Sequence, residues 1–274
     1  MIQRSILFFC FLASVAIAQT AREPFAIKHL QAEEAYAKKD FDAAIRLYTE
    51  AIELFPKLNE VTPEFRDPTK TAASLRYESL HRLYLGRFWA YFRIGLEKEA
   101  QADVTRSLIV LKEKIDRSLK EGRLLREKVD LEVERRIDRP SSHNSTLLAA
   151  GTVFFAVSST CRSVRSIYRD DPRLRNSIPE RFLRDEKIVN TLAAIDAPCS
   201  EARFGRAEVA AAAMIEVQNR SQNFIALSLA NELVFDFPNN AEAYRLRARV
   251  NRYLGDERQA LADEEKANEL GRGV

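Results

Sequence analysis

Glycine and proline are scarce in this 274-residue chain, at eight and nine residues. That excludes a collagenous chain and a Gly/Pro-rich disordered one. Histidine is scarcer still: His29, His81 and His143 are all there are, and none belongs to a recurring metal-ligand spacing. No H-E-x-x-H, nucleophile elbow, glycine-rich phosphate loop or dinucleotide fingerprint is present, so no cofactor, no metal and no enzyme are expected. Charge of one sign is not in excess. The 43 basic and 40 acidic residues leave a formal +3, which gives no electrostatic case for nucleic acid. Long apolar runs are missing beyond the N-terminus. The patch Leu147 to Val157 is about half of what a bilayer requires, so no integral span is expected after the leader is removed.

The leader is the one long apolar run. Residues 1–18 read MIQRSILFFCFLASVAIA, with Arg4 as a positive n-region, Ile6 to Val15 as the apolar stretch and Ala16-Ile17-Ala18 as the cleavage site. This is the pattern of a secretory signal peptide cut after Ala18, and it predicts an exported protein, periplasmic or extracellular. Cys10 follows Leu7-Phe8-Phe9, which lacks the small residues of a lipoprotein acceptor. Cleavage leaves Cys161 and Cys199. An even count in an exported chain invites a disulfide, the alternative being two buried thiols. Asn144-Ser145-Thr146 and Asn219-Arg220-Ser221 fit the glycosylation sequon, which matters only in a eukaryotic host.

Hydrophobic residues make up 46% of the chain, mostly aliphatic and alanine, and the expected fold is all-α. Near the end, 239–271 read as two short amphipathic helices joined at Leu254-Gly255-Asp256. Gly255 can take positive φ to end the first, and Asp256 is placed to cap the second. Ala248, Ala260 and Ala267 are small residues that let the two helices approach, and Ala226 precedes Ala260 by one period. Residues 25–56 repeat the design. Ile27, Leu30, Ala35 and Tyr36 are expected to form one apolar stripe; Phe41, Ala44, Ile45, Tyr48, Ala51, Ile52 and Phe55 form the other. Asp40 separates the helices and Pro56 closes the unit.

These residues resemble the tetratricopeptide (TPR) repeat. Tyr244, Ala248, Ala260 and Ala267 fill its aromatic and small positions, as do Ala32, Ala44, Tyr48, Ala51 and Pro56 in the first repeat. Lys28, Gln31, Ala35, Arg247, Asn251 and Glu264 depart from the family's large apolar residues, and Asn251 and Glu264 are read as the wet outer face of a terminal repeat. Tyr84, Tyr91, Gly95 and Ala100 echo the pattern, with Phe88 in a small position. The resemblance implies a TPR-like α-solenoid of antiparallel helix pairs, here with an irregular helical middle section. The expected division is 1–18 signal peptide, 19–110 N-terminal helix pairs, 111–199 middle, and 200–274 C-terminal repeats.

Within the middle, apolar spacing from Leu96 to Ile137 predicts one long helix, or two broken at Gly122. Another starts at Ser145 or Thr146 and runs to Tyr168. A short helix is expected near Glu180 to Ala194, followed by a new one capped by Ser200 and ending near Asn219. Candidate ligand residues lie on the repeats. Arg245 and Arg249, one turn apart, are placed to grip a carboxylate, with Arg252 beside them; the equivalent stripe of the first repeat is His29, Glu33 and Tyr36. A nucleophile–base pair of Cys161 and His143 is weighed against a bridge and set aside. The function expected is a scaffold that binds a protein or peptide partner. A pocket with convergent polar groups between Gln101 and Pro198 would favour an enzyme or enzyme accessory instead. A third possibility is an envelope protein self-associating through the long helix.

Overall fold

The computed structural model describes residues 24–55, 72–134, 140–168, 178–215 and 223–272, without side chains at 72–79, 129–134 and 140–145. The signal peptide, Pro56, the connector after it, and Asn219 lie outside the described residues, as does the side chain of His143. The protein is all-helical: among the described residues there are ten helices and no strand. They are α1 (Pro24–Ala37), α2 (Phe41–Glu53), α3 (Ala72–Arg93), α4 (Glu97–Glu134), α5 (Pro140–Tyr168), α6 (Glu180–Leu183), α7 (Glu186–Ile215), α8 (Asn223–Asp236), α9 (Ala241–Leu254) and α10 (Glu257–Gly271). Two compact units are formed. The first takes α1, α2, α3, α4 as far as Leu111, and Glu180–Ile188; the second takes the rest of α4, α5, α7 from Val189, α8, α9 and α10.

Three helical hairpins share one turn. Lys39, Gly95 and Gly255 hold it with φ of 63°, 80° and 85°. Each donates its amide to the carbonyl three residues back, Tyr36, Phe92 or Arg252. The next amide reaches five back: Asp40 to Ala35, Leu96 to Tyr91 and Asp256 to Asn251, at 3.0, 3.0 and 2.9 Å. These bonds satisfy carbonyls that a helix end otherwise leaves unpaired. Asp40 and Asp256 then cap the second helix, accepting from the amides of Ala43 and Gln259. At the same distance past each turn stand Ala44, Ala100 and Ala260, all fully buried. Only a small side chain leaves the paired helices that close.

Two of the hairpins carry a further device. Arg87 is bidentate to Asp103, Nε to Oδ2 at 2.7 Å and Nη2 to Oδ1 at 2.8 Å. Arg247 grips Asp263 in the same way, at 2.9 and 2.6 Å. In both, the arginine also lies 5.7 Å from the ring of the tyrosine three residues earlier, Tyr84 or Tyr244. Arg247 therefore does occupy an interior position, with a carboxylate on the facing helix to neutralise it. Asn251 is buried as well and donates to Asp263, which corrects its reading as outer face. Glu264 is half-buried and paired with Arg252.

On α1 the apolar stripe is only partly where periodicity placed it: Ala35 and Tyr36 pack against the core. Phe25 and Ala32 are buried, whereas Ile27 and Leu30 are 48% and 45% exposed. The inward face runs Phe25, His29, Ala32, Tyr36, which is the i, i+4, i+7, i+11 row, and the aromatic contact of Phe25 with Phe55 at 4.7 Å fixes it. The core of the first unit joins these to Ala44, Tyr48, Ala51, Leu80, Leu83, Ala90 and Val110. Beside it Phe182 meets Phe88 and Phe92 edge-to-face, at 5.3 Å from Phe88.

In the second unit, α4 runs unbroken through Gly122. The reason is steric. Phe154 of α5 lays its ring between Gly122 and Gly205 of α7, where a Cβ would meet it at 3.0 and 2.6 Å. α5 begins earlier than expected, at Pro140, whose missing N–H costs nothing in a first turn. Its stretch Thr146–Tyr168 is long and apolar enough to cross a membrane by length and composition, which exceeds the patch read from sequence; half of its most apolar window is buried inside the protein. α7 corrects two further expectations. It restarts at Glu186, after Asp185 accepts from the amides of Lys187 and Ile188. It then passes straight through Pro198, so Ser200 is no cap: its hydroxyl donates to the carbonyl of Asp196 at 2.9 Å. The boundary placed at 199/200 thus falls inside a helix. An interior proline costs about 3 kcal/mol. Burial of Ile188, Ile195, Cys199 and Ala202 on one face, with a covalent bond at Cys199, offsets it.

Candidate functional site

The C-terminal arginines are mostly occupied by the chain's own carboxylates. Arg252 binds Glu264 through both terminal nitrogens, at 2.6 and 2.9 Å, and Glu257 through Nε at 3.2 Å. These two partners push its pKa up. Arg245 pairs with Glu242 one turn before it. Arg249 is exposed and makes no ion pair among the described residues. The expected grip of Arg245 and Arg249 on one carboxylate therefore competes with Glu242.

His29, Glu33 and Tyr36 do come together, around Tyr48. His29 Nε2 lies 3.4 Å from Glu33 Oε1, and Tyr48 donates to the same oxygen at 2.8 Å. Hydrogen bonding to His29, then to Tyr48, holds the Glu33 carboxyl below its ordinary range against the opposing effect of burial. Burial and the Glu33 charge push the Tyr48 phenol far above its own. Tyr36 sits edge-on to Phe41 at 5.4 Å and accepts a long hydrogen bond from Arg93. His29 and Tyr48 thus share the carboxylate of Glu33, which stays exposed, while Tyr36 faces Phe41 and Arg93.

A different site stands over the cysteines. Cys161 and Cys199 are joined, with Sγ–Sγ 2.05 Å, so neither is a thiol nucleophile and the pair of Cys161 with His143 falls away. The bridge ties α5 to α7 at the base of a cavity of about 320 Å³ whose third wall is α8. Each helix lines it with one helical row: Ser158, Cys161, Arg162 and Arg165 from α5; Cys199, Arg203 and Arg206 from α7; Leu229, Glu232, Leu233 and Asp236 from α8. Arg203 pairs with Asp236 and stacks over Phe237 at 5.2 Å; Arg206 lies over Phe155 at 4.9 Å. Burial first, then Arg165 and Arg162, hold the Arg203 guanidinium below its ordinary value; burial, and to a lesser degree Arg162, do the same at Arg206, with Glu232 opposing both.

Sequence reasoning missed these arginines. The available signal was their helical register with the cysteines: Arg165 one turn after Cys161, Arg203 one turn after Cys199. Once the bridge is granted, both rows must face the same space. Among the described residues no cluster of three or more His, Cys, Asp or Glu is arranged to hold a metal. The chain matches no protein-family model and no curated protein.

Proposed function

We propose that the protein is an exported, TPR-like helical-repeat scaffold that binds a protein or peptide partner. The observation that supports it is the recurrence of one hairpin, with the same turn bonds and the same buried alanine, at α1–α2, α3–α4 and α9–α10. Hairpins of this kind stack in solenoids whose exposed faces are used for binding, and the step from that architecture to a role is one of analogy. Affinity capture with the mature chain, from the exported fraction of its native host, tests it. A partner captured tenfold or more above a control with scrambled surface charge is expected. If Arg245 and Arg249 take part, changing both to Ala weakens capture and rising salt weakens the wild type. No partner above the control removes the reading. Sedimentation separates it from self-association.

One observation favours a second reading. The arginine-lined cavity brings convergent polar groups to α5, in the section that does not follow the repeat. That section is then a small-ligand site, present alongside the repeats.

A further inference from the structure

We propose that the cavity between α5, α7 and α8 binds a small dianion, a dicarboxylate or a phosphoryl compound, gripped by Arg162, Arg165, Arg203 and Arg206 with Ser158 as an additional donor. This rests on the reading of the middle section as a ligand site and names its chemistry.

Charge comes first. Four guanidinium groups line the cavity against two carboxylates, Glu232 and Asp236. Asp236 is committed to Arg203, while Arg162, Arg165 and Arg206 make no ion pair among the described residues. Like charges held near one another destabilise each other's charged form; at Arg203 and Arg206 burial is the larger cause of the lowered values, with Arg165 and Arg162 adding to it at Arg203 and Arg162 at Arg206. A ligand with two negative charges balances the lining; a single charge leaves it positive.

Shape and donor geometry come next. Phe155 holds the Arg206 guanidinium over its ring with no ion pair among the described residues, which leaves that fork open to donate, while Arg203, over Phe237, keeps only the N–H groups not given to Asp236. Such forks match the paired oxygens of carboxylates and phosphates. Leu229, Leu233 and the disulfide supply an apolar wall for the body of the ligand. The volume is that of a small-molecule site and is too small for a helix.

Ser158 is the independent sign. Its residue is 8% exposed, and its hydroxyl is buried with no hydrogen-bond partner among the described residues. Three neighbouring hydroxyls on α5 donate back along the helix, Thr152 to Leu148, Thr160 to Ala156 and Ser163 to Ser159. Ser158 does not, and it borders the cavity. A buried hydroxyl left unpaired is unfavourable without a compensating acceptor. An anion oxygen in the cavity is such an acceptor.

Calorimetric titration of the oxidised, mature chain at low ionic strength tests the proposal, with succinate and inorganic phosphate as the two anions. Saturable binding of at least one is expected, weakened tenfold or more by Arg162→Gln with Arg165→Gln, both of which sit at the exposed rim. Succinate alone assigns a dicarboxylate, phosphate alone a phosphoryl group, and both together support the shared chemistry. Ser158→Ala gives the sharper readout: a melting midpoint equal to or above wild type without ligand, and several-fold weaker binding. Neither anion binding to the folded protein overturns the proposal, as does binding indifferent to both variants. Neutral succinamide or cationic putrescine binding in their place, with loss in the same variants, overturns the anion assignment while leaving a ligand site standing.

Discussion

Replacing Gly205 by alanine sets two known effects against each other. In a helix interior, alanine is favoured over glycine by about 1 kcal/mol, so propensity alone predicts a stabilised protein. The structure predicts the opposite. A Cβ at Gly205 would lie 2.6, 2.7 and 2.8 Å from Cε1, Cζ and Cδ1 of Phe154, where carbon atoms favour about 3.5–4.0 Å. The ring is buried, so any retreat must displace the residues packed around it. It cannot retreat by the needed distance of about 1 Å. Overpacking of this kind costs about 1–3 kcal/mol, and three ring atoms below 3.0 Å place it in the upper half of that range. The net expectation is a loss of about 1–2 kcal/mol after the propensity gain. Gly122→Ala is the milder case: its closest contacts, 3.0 to 3.4 Å, require the ring to shift by a few tenths of an ångström, so the two effects nearly cancel. Urea denaturation followed by helical circular dichroism measures both. Phe154→Leu in the Gly205→Ala background provides the coupling, and the double variant is expected to lose less than the sum of the singles. A Gly205→Ala protein as stable as wild type, or a loss indifferent to Phe154→Leu, would refute the reasoning.

Three other perturbations address different parts of the chain. Glu33 has a depressed folded pKa, so its contribution is present above the ordinary carboxylate range and lost as pH falls through the lowered value; Tyr48 has a raised one, so stability declines as pH climbs past about 10, the ordinary phenol value. Trp89 fluorescence reports on this unit, and an unchanged alkaline limb in Tyr48→Phe would count against the assignment. The bridge of Cys161 and Cys199 closes a loop of 38 residues, worth about 4 kcal/mol by chain entropy; denatured, unreduced protein should show no free thiol, and two titratable thiols refute it. Asp103→Ala leaves Arg87 buried and unpaired, with an expected loss of about 3–5 kcal/mol; a loss below about 1 kcal/mol, the scale of an exposed pair, would show that the clamp carries little.

What the sequence made legible is what short-range chemistry decides. Asp40, Asp256 and Gly255 act within a few residues of themselves, and the turns they were read to make are there. The disulfide was expected from the leader-like N-terminus and the even count of remaining cysteines, and the two are joined. The break expected between Ala194 and Ser200 is absent because burial of Ile195, Cys199 and Ala202 carries α7 through Pro198. Arg247 looked like a defect in the repeat because its justification, Asp263, is sixteen residues away on another helix. The arginine cavity was least legible, since its residues are drawn from three helices between Ser158 and Asp236. No single window of sequence holds its composition.

Phe182 packs against Phe88 and Phe92, although the whole of Lys112–Pro179 intervenes and belongs to the other unit. Vectorial synthesis therefore delivers the first hairpins long before the residue that covers their aromatic edge. Until Glu180–Ile188 emerges, Phe88 and Phe92 lack that cover, and the chain must hold an unfinished first unit while much of the second is being made. No cut between 112 and 179 releases a complete first unit. A fragment ending at Leu111 is expected to expose this aromatic surface and to be rescued by a peptide spanning Glu180–Ile188.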